Sequence, residues 1–345
     1  MSSRKSPPKF SPTPIQVTRS GPMTESAELY QIPPEFNGLR LDQALAKLLP
    51  EFSRNRLQKW IRDGQVAVNG KPAQPRLRLV GGDQISVTTL TPTTIAPPAA
   101  EPIELDIVDE DEDLIIVNKP AGLVVHPGAG ISHGTLQNGL LFRYPELADI
   151  PRAGIIHRLD KETSGLMVVT RTLQAHKVLS EKLAEREISR EYLALVHGWI
   201  IAGGTVDAAI GRHPGDRTRM TVTDGGREAR SHYRLAQQWP HHTLLRVQLD
   251  TGRTHQIRVH MRHIRHPVVG DPTYGNRTGP PARASEALQR TLNGFRRQAL
   301  HATRLAFDHP RTGLPVEWQQ PVPADFQRLI DTLDQEYGDH QDAPA

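Results

Sequence analysis

Two short segments of this 345-residue chain carry side chains whose types and spacing allow chemistry. The first runs Gly154-Ile155-Ile156-His157-Arg158-Leu159-Asp160-Lys161-Glu162-Thr163-Ser164-Gly165. Its carboxylate, Asp160, lies among basic and small hydroxyl residues in a loop entering the apolar run Leu166-Met167-Val168-Val169. Asp160 there can be a nucleophile or a base. An Arg-Leu-Asp tripeptide can equally be a loop making local hydrogen bonds. The second segment runs Leu249-Asp250-Thr251-Gly252-Arg253-Thr254-His255-Gln256-Ile257-Arg258-Val259-His260. It concentrates Arg and His at a strand–turn–helix junction. Such a place suits a phosphate or the counter-ion of a buried carboxylate, and also a plain phosphate-binding turn without catalysis.

Other chemistries are excluded by what is missing. Cysteine is absent, which removes disulfides, thiol nucleophiles and Cys-ligated metal sites. No Walker-type phosphate loop is present, and Gly128-Ala129-Gly130 lacks the third glycine of a dinucleotide fingerprint. His255, His260 and His263 stand at i, i+5 and i+8, which is not a metal-ligand spacing. No metal site is expected.

The elements that position these segments follow from pattern. The length predicts about two domains. Residues 1–35 are rich in Ser, Pro and Thr and read as a disordered basic tail. Residues 38–89 read as a small α/β module. Leu41, Leu45, Leu48 and Leu49 have helical spacing, and Leu57, Trp60 and Ile61 mark a second helix. Gly64 suits the stop of that helix, and Asn69-Gly70 predicts a hairpin. Arg54, Arg56, Lys59 and Arg62 fall off the apolar face of the second helix, where they can meet phosphates. Residues 90–102 read as a Pro/Ala/Thr linker, and the acidic stretch from Glu104 to Asp113 as a solvated turn between strands. From 103 to 335, mixed strands and helices without a regular βαβ repeat predict an α+β domain around a large, mainly antiparallel sheet, followed by an acidic tail at 336–345.

Charge adds a partner class. The net charge is 42 minus 38, or +4, but residues 212–311 hold 18 Arg, no Lys and 7 acids, a net of +11. Arginine grips phosphate bidentately and stacks on bases, so this bias points to nucleic acid. No apolar run approaches the ~20 residues of a membrane span, and no secretory signal opens the chain. A cytoplasmic location is expected.

Two resemblances sharpen the reading. Residues 38–89 resemble the S4 RNA-binding domain through Arg40-Leu41-Asp42, Ser53-Arg54, Gln58, Ile61, Gly64 and Val66-Ala67-Val68-Asn69-Gly70. The region from 103 to 335 resembles the RluA-type pseudouridine synthases. The carrying text is Asn118-Lys119-Pro120, Gly122 and His126-Pro127, then HRLDKETSG at 157–165 and REYLALVHG at 190–198. TGRTHQIRVHM at 251–261, GDPTYG at 270–275 and QALHA at 298–302 complete it.

The resemblance implies an isomerase acting on uridines of large-subunit ribosomal RNA, with a pseudouridine-synthase-type sheet domain behind the S4-like module. It assigns the essential carboxylate to Asp160 and its partner cation to Arg258. It makes Tyr192 the ring stacked on a flipped base, Leu300 a packing residue for that base and Arg158 the side chain that fills the gap in the RNA. It implies no cofactor, since nothing is oxidised and no group leaves, and a monomeric enzyme.

Overall fold

Period-two alternation and one tight turn build the smaller of the two units, Met1–Pro97 and Pro98–Ala345, into which the chain divides. The structure, a computed structural model, describes residues 15–16, 25–49, 54–90, 99–128, 131–216, 218–275 and 279–338. In the smaller unit, strands β1 (Ile15–Gln16), β2 (Glu25–Gln31), β3 (Val66–Val68), β4 (Lys71–Pro72) and β5 (Gln84–Leu90) form an antiparallel sheet in the order β1-β2-β5-β3-β4. Asn69 and Gly70 both adopt left-handed φ, 52° and 75°, the geometry that an Asn-Gly hairpin requires. Helices α1 (Leu41–Leu48) and α2 (Arg54–Arg62) bury Leu41, Leu45, Leu48, Leu57 and Ile61, and Trp60 packs half-buried beside them.

The reading of 1–35 as a disordered tail is corrected at its end. Residues 25–31 pair with β5, and Tyr30 and Ile32 enter the core. The sheet supplies what local composition could not show: a long partner strand and an apolar pocket for two alternate side chains. Apart from Ile15–Gln16, residues 1–24 lie outside the described residues, as do 91–98 of the expected linker and 339–345 of the expected acidic tail. The last linker residues belong to the larger unit. There Asn138 Nδ2 donates to Ala99 O (2.7 Å), and Glu101 accepts from Gly134 N (2.9 Å).

The larger unit is a nine-stranded mixed sheet. Its strands are β6 (Ile107–Glu110), β7 (Leu114–Lys119), β8 (Ser164–Thr170), β9 (Ser189–His197), β10 (Gly204–Asp207), β13 (Arg230–Trp239), β14 (His242–Leu249), β15 (Leu300–Asp308) and β16 (Pro315–Gln319). The order is β10-β13-β14-β9-β15-β8-β7-β6, with β16 also on β15. Only β15 and β8 run parallel, through His301↔Ser164 and Ala302↔Gly165, so the expected mainly antiparallel α+β architecture is what the chain adopts. A separate ribbon pairs β11 (Ile210–Arg212) with β12 (Met220–Val222).

Helices α3 (Leu136–Arg143), α4 (Leu173–Ala184), α5 (Gln256–His263), α6 (Glu286–Gly294) and α7 (Ala324–Tyr337) complete the unit. Helix α7 runs past residue 335, and Glu336 accepts from Ser285 N, so the expected acidic tail begins inside a docked helix. Strand β8 is buried along its whole length. Its Met167 and Val169 join the main core, while Leu166 and Val168 pack on the other face with Leu179 of α4. Burial on both faces produces a continuous apolar run where a one-faced strand would alternate.

The acidic stretch is only partly a solvated turn. Asp113 is buried, accepting from Arg311 and from Thr172 Oγ1. Asp111, Asp113 and His309 bring ligand atoms within 4.8 Å of one another, but Arg311, His309 and backbone N–H groups already occupy these carboxylates.

Candidate active site

The loop bearing Asp160 is fastened from several sides. At its start, His157 Nε2 accepts from Val168 N (3.1 Å), taking the place of a strand partner. That role requires a neutral ring, and burial, aided by the charge of Arg190, lowers the His157 pKa to about 3. Past Asp160, the Lys161 carbonyl accepts from the fully buried Lys119 Nζ (3.0 Å) and from Gly122 N (2.9 Å). The same ammonium donates to Pro120 O (2.7 Å) and Leu123 O (2.9 Å), so one side chain clamps three carbonyls. Gln298 Nε2 holds Thr163 Oγ1 at 2.9 Å. The loop closes at Gly165, whose φ is +116° and where an added Cβ would stand 2.3 Å from Ala302 O. Only glycine lets β8 approach the start of β15 this closely.

Arg258 reaches Asp160 from α5, 98 residues downstream, with Nη1 2.9 Å from Oδ2. The Arg258 side chain is only 5% exposed, held between the Asp160 loop and Asp271. Its other edge is gripped by Asp271, with Nε 2.6 Å from Oδ2 and Nη2 2.9 Å from Oδ1. Asp271 Oδ1 also accepts from Thr273 N and Tyr274 N. Burial alone would raise the Asp271 pKa, but the hydrogen bonds and charge of Arg258 outweigh it and leave the carboxyl lowered. Burial likewise works against the Arg258 cation, and the two carboxylates reverse this and raise its pKa. Arg258 is thus locked as a cation by Asp271 and presents one N–H to Asp160. The turn before Asp271 needs Gly270, with φ +73° and no room for a Cβ, which would stand 2.2 Å from Arg297 O.

His255 faces the second oxygen of Asp160, with Nε2 4.0 Å from Oδ1. It occupies the N-cap of α5 in the left-handed region, φ 57°, which is strained for a non-glycine residue. Its tautomer follows from its neighbours. Tyr274 Oη accepts from Met220 N (2.7 Å), so its O–H is free to donate to His255 Nδ1 (2.8 Å). The proton of the neutral ring then sits on Nε2, toward Asp160. Burial lowers the His255 pKa, opposed by the charge of Asp160.

These groups border a cavity of about 550 Å³. All five residues that the resemblance singled out, Asp160, Arg158, Tyr192, Arg258 and Leu300, lie on its wall. Tyr192 and Leu300 are on neighbouring strands, opposite Ala302 and Ala194 respectively, which sets them side by side on one sheet face. Burial raises the Tyr192 pKa, so its phenol stays neutral. Arg158 is exposed at the rim, 3.4 Å from His126 Nε2. The anchors Lys119, Asp271 and Tyr274 and the cavity residues His157, Arg190 and His255 were given no role by sequence reasoning. Each sits inside a motif quoted above: His157, Arg190 and His255 lie within three positions of a residue that was singled out, while Asp271, Tyr274 and Lys119 lie thirteen or more away.

In the smaller unit, α2 displays Lys59 and Arg62 to solvent. Arg54 is partly engaged: with Arg40 and Gln58 it donates to the buried Asp42. Burial pushes the Asp42 pKa up, and those three donors more than offset it. The Arg56 side chain lies outside the described residues.

Comparison with known proteins places this geometry. Residues 113–263 match the family model described as RNA pseudouridylate synthase, and residues 39–85 match the S4 domain. The chain is 51% identical over 316 residues to ribosomal large subunit pseudouridine synthase D of Xanthomonas campestris pv. campestris, covering 91% of this chain and 95% of that one. It is 52% identical over 306 residues to the protein of the same name from Escherichia coli K12, covering 88% and 94%. Among solved structures it is similar to human RNA pseudouridylate synthase domain containing 1, with a TM-score of 0.50 and 28% identity over 65% of this chain and 86% of that one.

Proposed function

The chain belongs to the RNA pseudouridylate synthase family, and on that premise we propose that it isomerises uridines in large-subunit ribosomal RNA, with Asp160 as the reacting carboxylate. The reaction breaks the N1–C1′ bond, turns the uracil and joins C5 to C1′. The hydrogen lost from C5 is balanced by one gained at N1, so the product is an isomer. Asp160 acts on the nucleotide through Oδ1, the oxygen that Arg258 does not hold. Arg258 keeps the carboxylate ionised and aimed.

A uridine must leave its stack to reach this loop, at a cost of a few kcal/mol. Tyr192 offers a neutral ring for the flipped base to stack on, Leu300 packs beside it, and Arg158 at the rim fills the vacated place in the RNA. The S4 module, which includes β2, adds RNA contacts through the α2 cations Arg54, Arg56, Lys59 and Arg62, and the catalytic domain runs from the last linker residues through α7. The enzyme works as a cytoplasmic monomer without a cofactor. Among the described residues, no helix is long and apolar enough to cross a membrane.

The observation that carries this reading is the Asp160–Arg258 pair on the wall of the cavity that also holds Tyr192 and Leu300. The test is tritium release from large-subunit RNA fragments labelled at uridine C5, in the presence of a metal chelator. Release by the wild type and its loss in Asp160→Asn are expected. No release from any fragment, or release by the Asn variant at the wild-type rate, refutes the reading.

A further inference from the structure

Three arginines are buried among the described residues: Arg190, Arg258 and Arg297. Arg258 grips Asp160 and Asp271, and Arg297 grips Asp325. Arg190, 7% exposed, grips nothing: its Nε is buried without a partner, and its guanidinium has no hydrogen bond or ion pair among the described residues. Nearby carboxylates are already engaged, Asp160 by Arg258, Asp250 by His232 and Glu191 by Arg246. A buried cation without a counter-charge is strongly disfavoured unless something that binds supplies one.

Its position says what binds. Arg190 lies on the wall of the same cavity, two residues before Tyr192 on β9, so both side chains project from one face of the strand. The step between them is roughly 6.6 Å, within the reach from a nucleotide's base to its own phosphate. At position 252, a Cβ would come within 3.0 Å of Arg190 Nη1, so Gly252 leaves the guanidinium its space. An uncharged uracil cannot neutralise a guanidinium, whereas a phosphodiester accepts two of its N–H groups at once. We propose that Arg190 is the seat of an RNA backbone phosphate, one of the two that flank the uridine lying on Tyr192. The charge is left unpaired in the empty protein and is compensated when substrate enters. This rests on the cavity taking a uridine, as proposed above.

The experiment compares wild type, Arg190→Met and Arg190→Lys on a ribosomal RNA fragment that the wild type modifies. Without RNA, the Met variant is expected to melt about 2–4 °C higher than wild type, because an uncompensated buried charge is gone. Its RNA affinity is expected to fall roughly 10- to 100-fold, the loss of a charged hydrogen-bonded contact. The slope of log affinity against log salt is expected to flatten by about 0.7–0.9. The Lys variant should melt like wild type and bind between the two.

A methylphosphonate placed 5′ or 3′ of the target uridine locates the seat. One of the two should weaken the wild type and leave Arg190→Met unaffected. If the Met variant melts lower while its salt slope is unchanged, or if both methylphosphonates weaken the two proteins equally, Arg190 is structural and the inference falls. If the wild type modifies no fragment, the reading of the cavity itself fails first, so the two failures are distinguishable.

Discussion

Asp271→Asn isolates the anchor from the proposed reacting group. The substitution keeps Oδ1, which accepts from Thr273 N, Tyr274 N and Arg258 Nη2, and converts Oδ2 into an amide facing Arg258 Nε. A 2.6 Å charge-assisted hydrogen bond is replaced by two donors facing each other. Losing a hydrogen bond to a charged group costs about 1.5–3 kcal/mol, and unpairing one side of a buried ion pair about 3–5 kcal/mol. Because Asp160 still holds Nη1, the lower part of that range applies, and a stability loss of about 3 kcal/mol is expected. For a unit this size that lowers Tm by about 6–12 °C. Asp160 keeps its charge, but the arginine that aims it can now rotate. Misplacement by about 1 Å costs on the order of 100-fold in rate. Single-turnover tritium release at a temperature where the variant stays folded should therefore show a fall of that order in the chemical step. RNA affinity should barely change, because Asp271 is buried and touches no substrate. A variant that loses Tm yet retains the wild-type single-turnover rate would refute the idea that Asp271 positions Arg258 for chemistry and reduce it to a fold anchor.

Three further predictions use other features. Tyr192→Ala should weaken productive binding by about 1–3 kcal/mol through lost stacking, while Tyr192→Phe keeps the ring; an Ala variant with unchanged kcat/KM would return this tyrosine to a purely structural place in the sheet. Tyr274→Phe removes the hydroxyl that fixes the His255 tautomer, so ¹⁵N spectra should show the ring leaving the Nε2–H form, and an unaltered tautomer would contradict the assignment. His242 is 1% exposed, has no partner for either ring nitrogen among the described residues, and is held by burial at a pKa of about 3. In the unfolded chain it takes a proton near 6.5, so its contribution to stability is full above that pH and is lost as pH falls toward 3. At pH 5 the loss is about 2 kcal/mol, and His242→Leu should flatten the urea-derived stability between pH 7.5 and 5 by that amount; an unchanged pH slope would show that another group carries the acid sensitivity.

Local pattern and motif text carried the reading unevenly. The apolar run Leu166–Val169, which forms most of β8, was legible because its cause lies within a few residues. So was the Asn69-Gly70 hairpin. The β2 strand was not, because its apolar contribution is two alternating residues, Tyr30 and Ile32, and its stability comes from a β5 partner more than fifty positions away. Asp160 and Arg258 were legible from motif text, yet composition and spacing left each with a bland alternative. What separates the alternatives is their contact across 98 residues, which no period or cap encodes. Asp271 stood in plain view in Gly-Asp-Pro-Thr-Tyr-Gly, but an aspartate before a proline also reads as ordinary turn chemistry, and only the burial of Arg258 turns it into a counter-ion.

Four charged groups on and behind the cavity wall, Asp160, Arg258, Asp271 and Arg190, have an order that favours one direction for a nucleotide. Toward α5, Asp160, Arg258 and Asp271 form a chain of two carboxylates around one cation, with a formal sum of −1. On β9, Arg190 contributes an unopposed +1, and Tyr192 stands two residues along the same strand as a neutral ring. A phosphodiester is repelled by the first region and attracted by the second. A ribose carbon that develops positive charge as the N1–C1′ bond breaks is favoured by the first and disfavoured by the second. The same fixed charges therefore oppose the reversed orientation of the nucleotide at both of its ends. Reversal would put phosphate against Asp160 and the electron-poor sugar carbon against Arg190. Mobile solvent ions would screen such a field in the open, but most of these groups are buried or nearly so, where screening is weak and a few charges suffice to decide which end goes where.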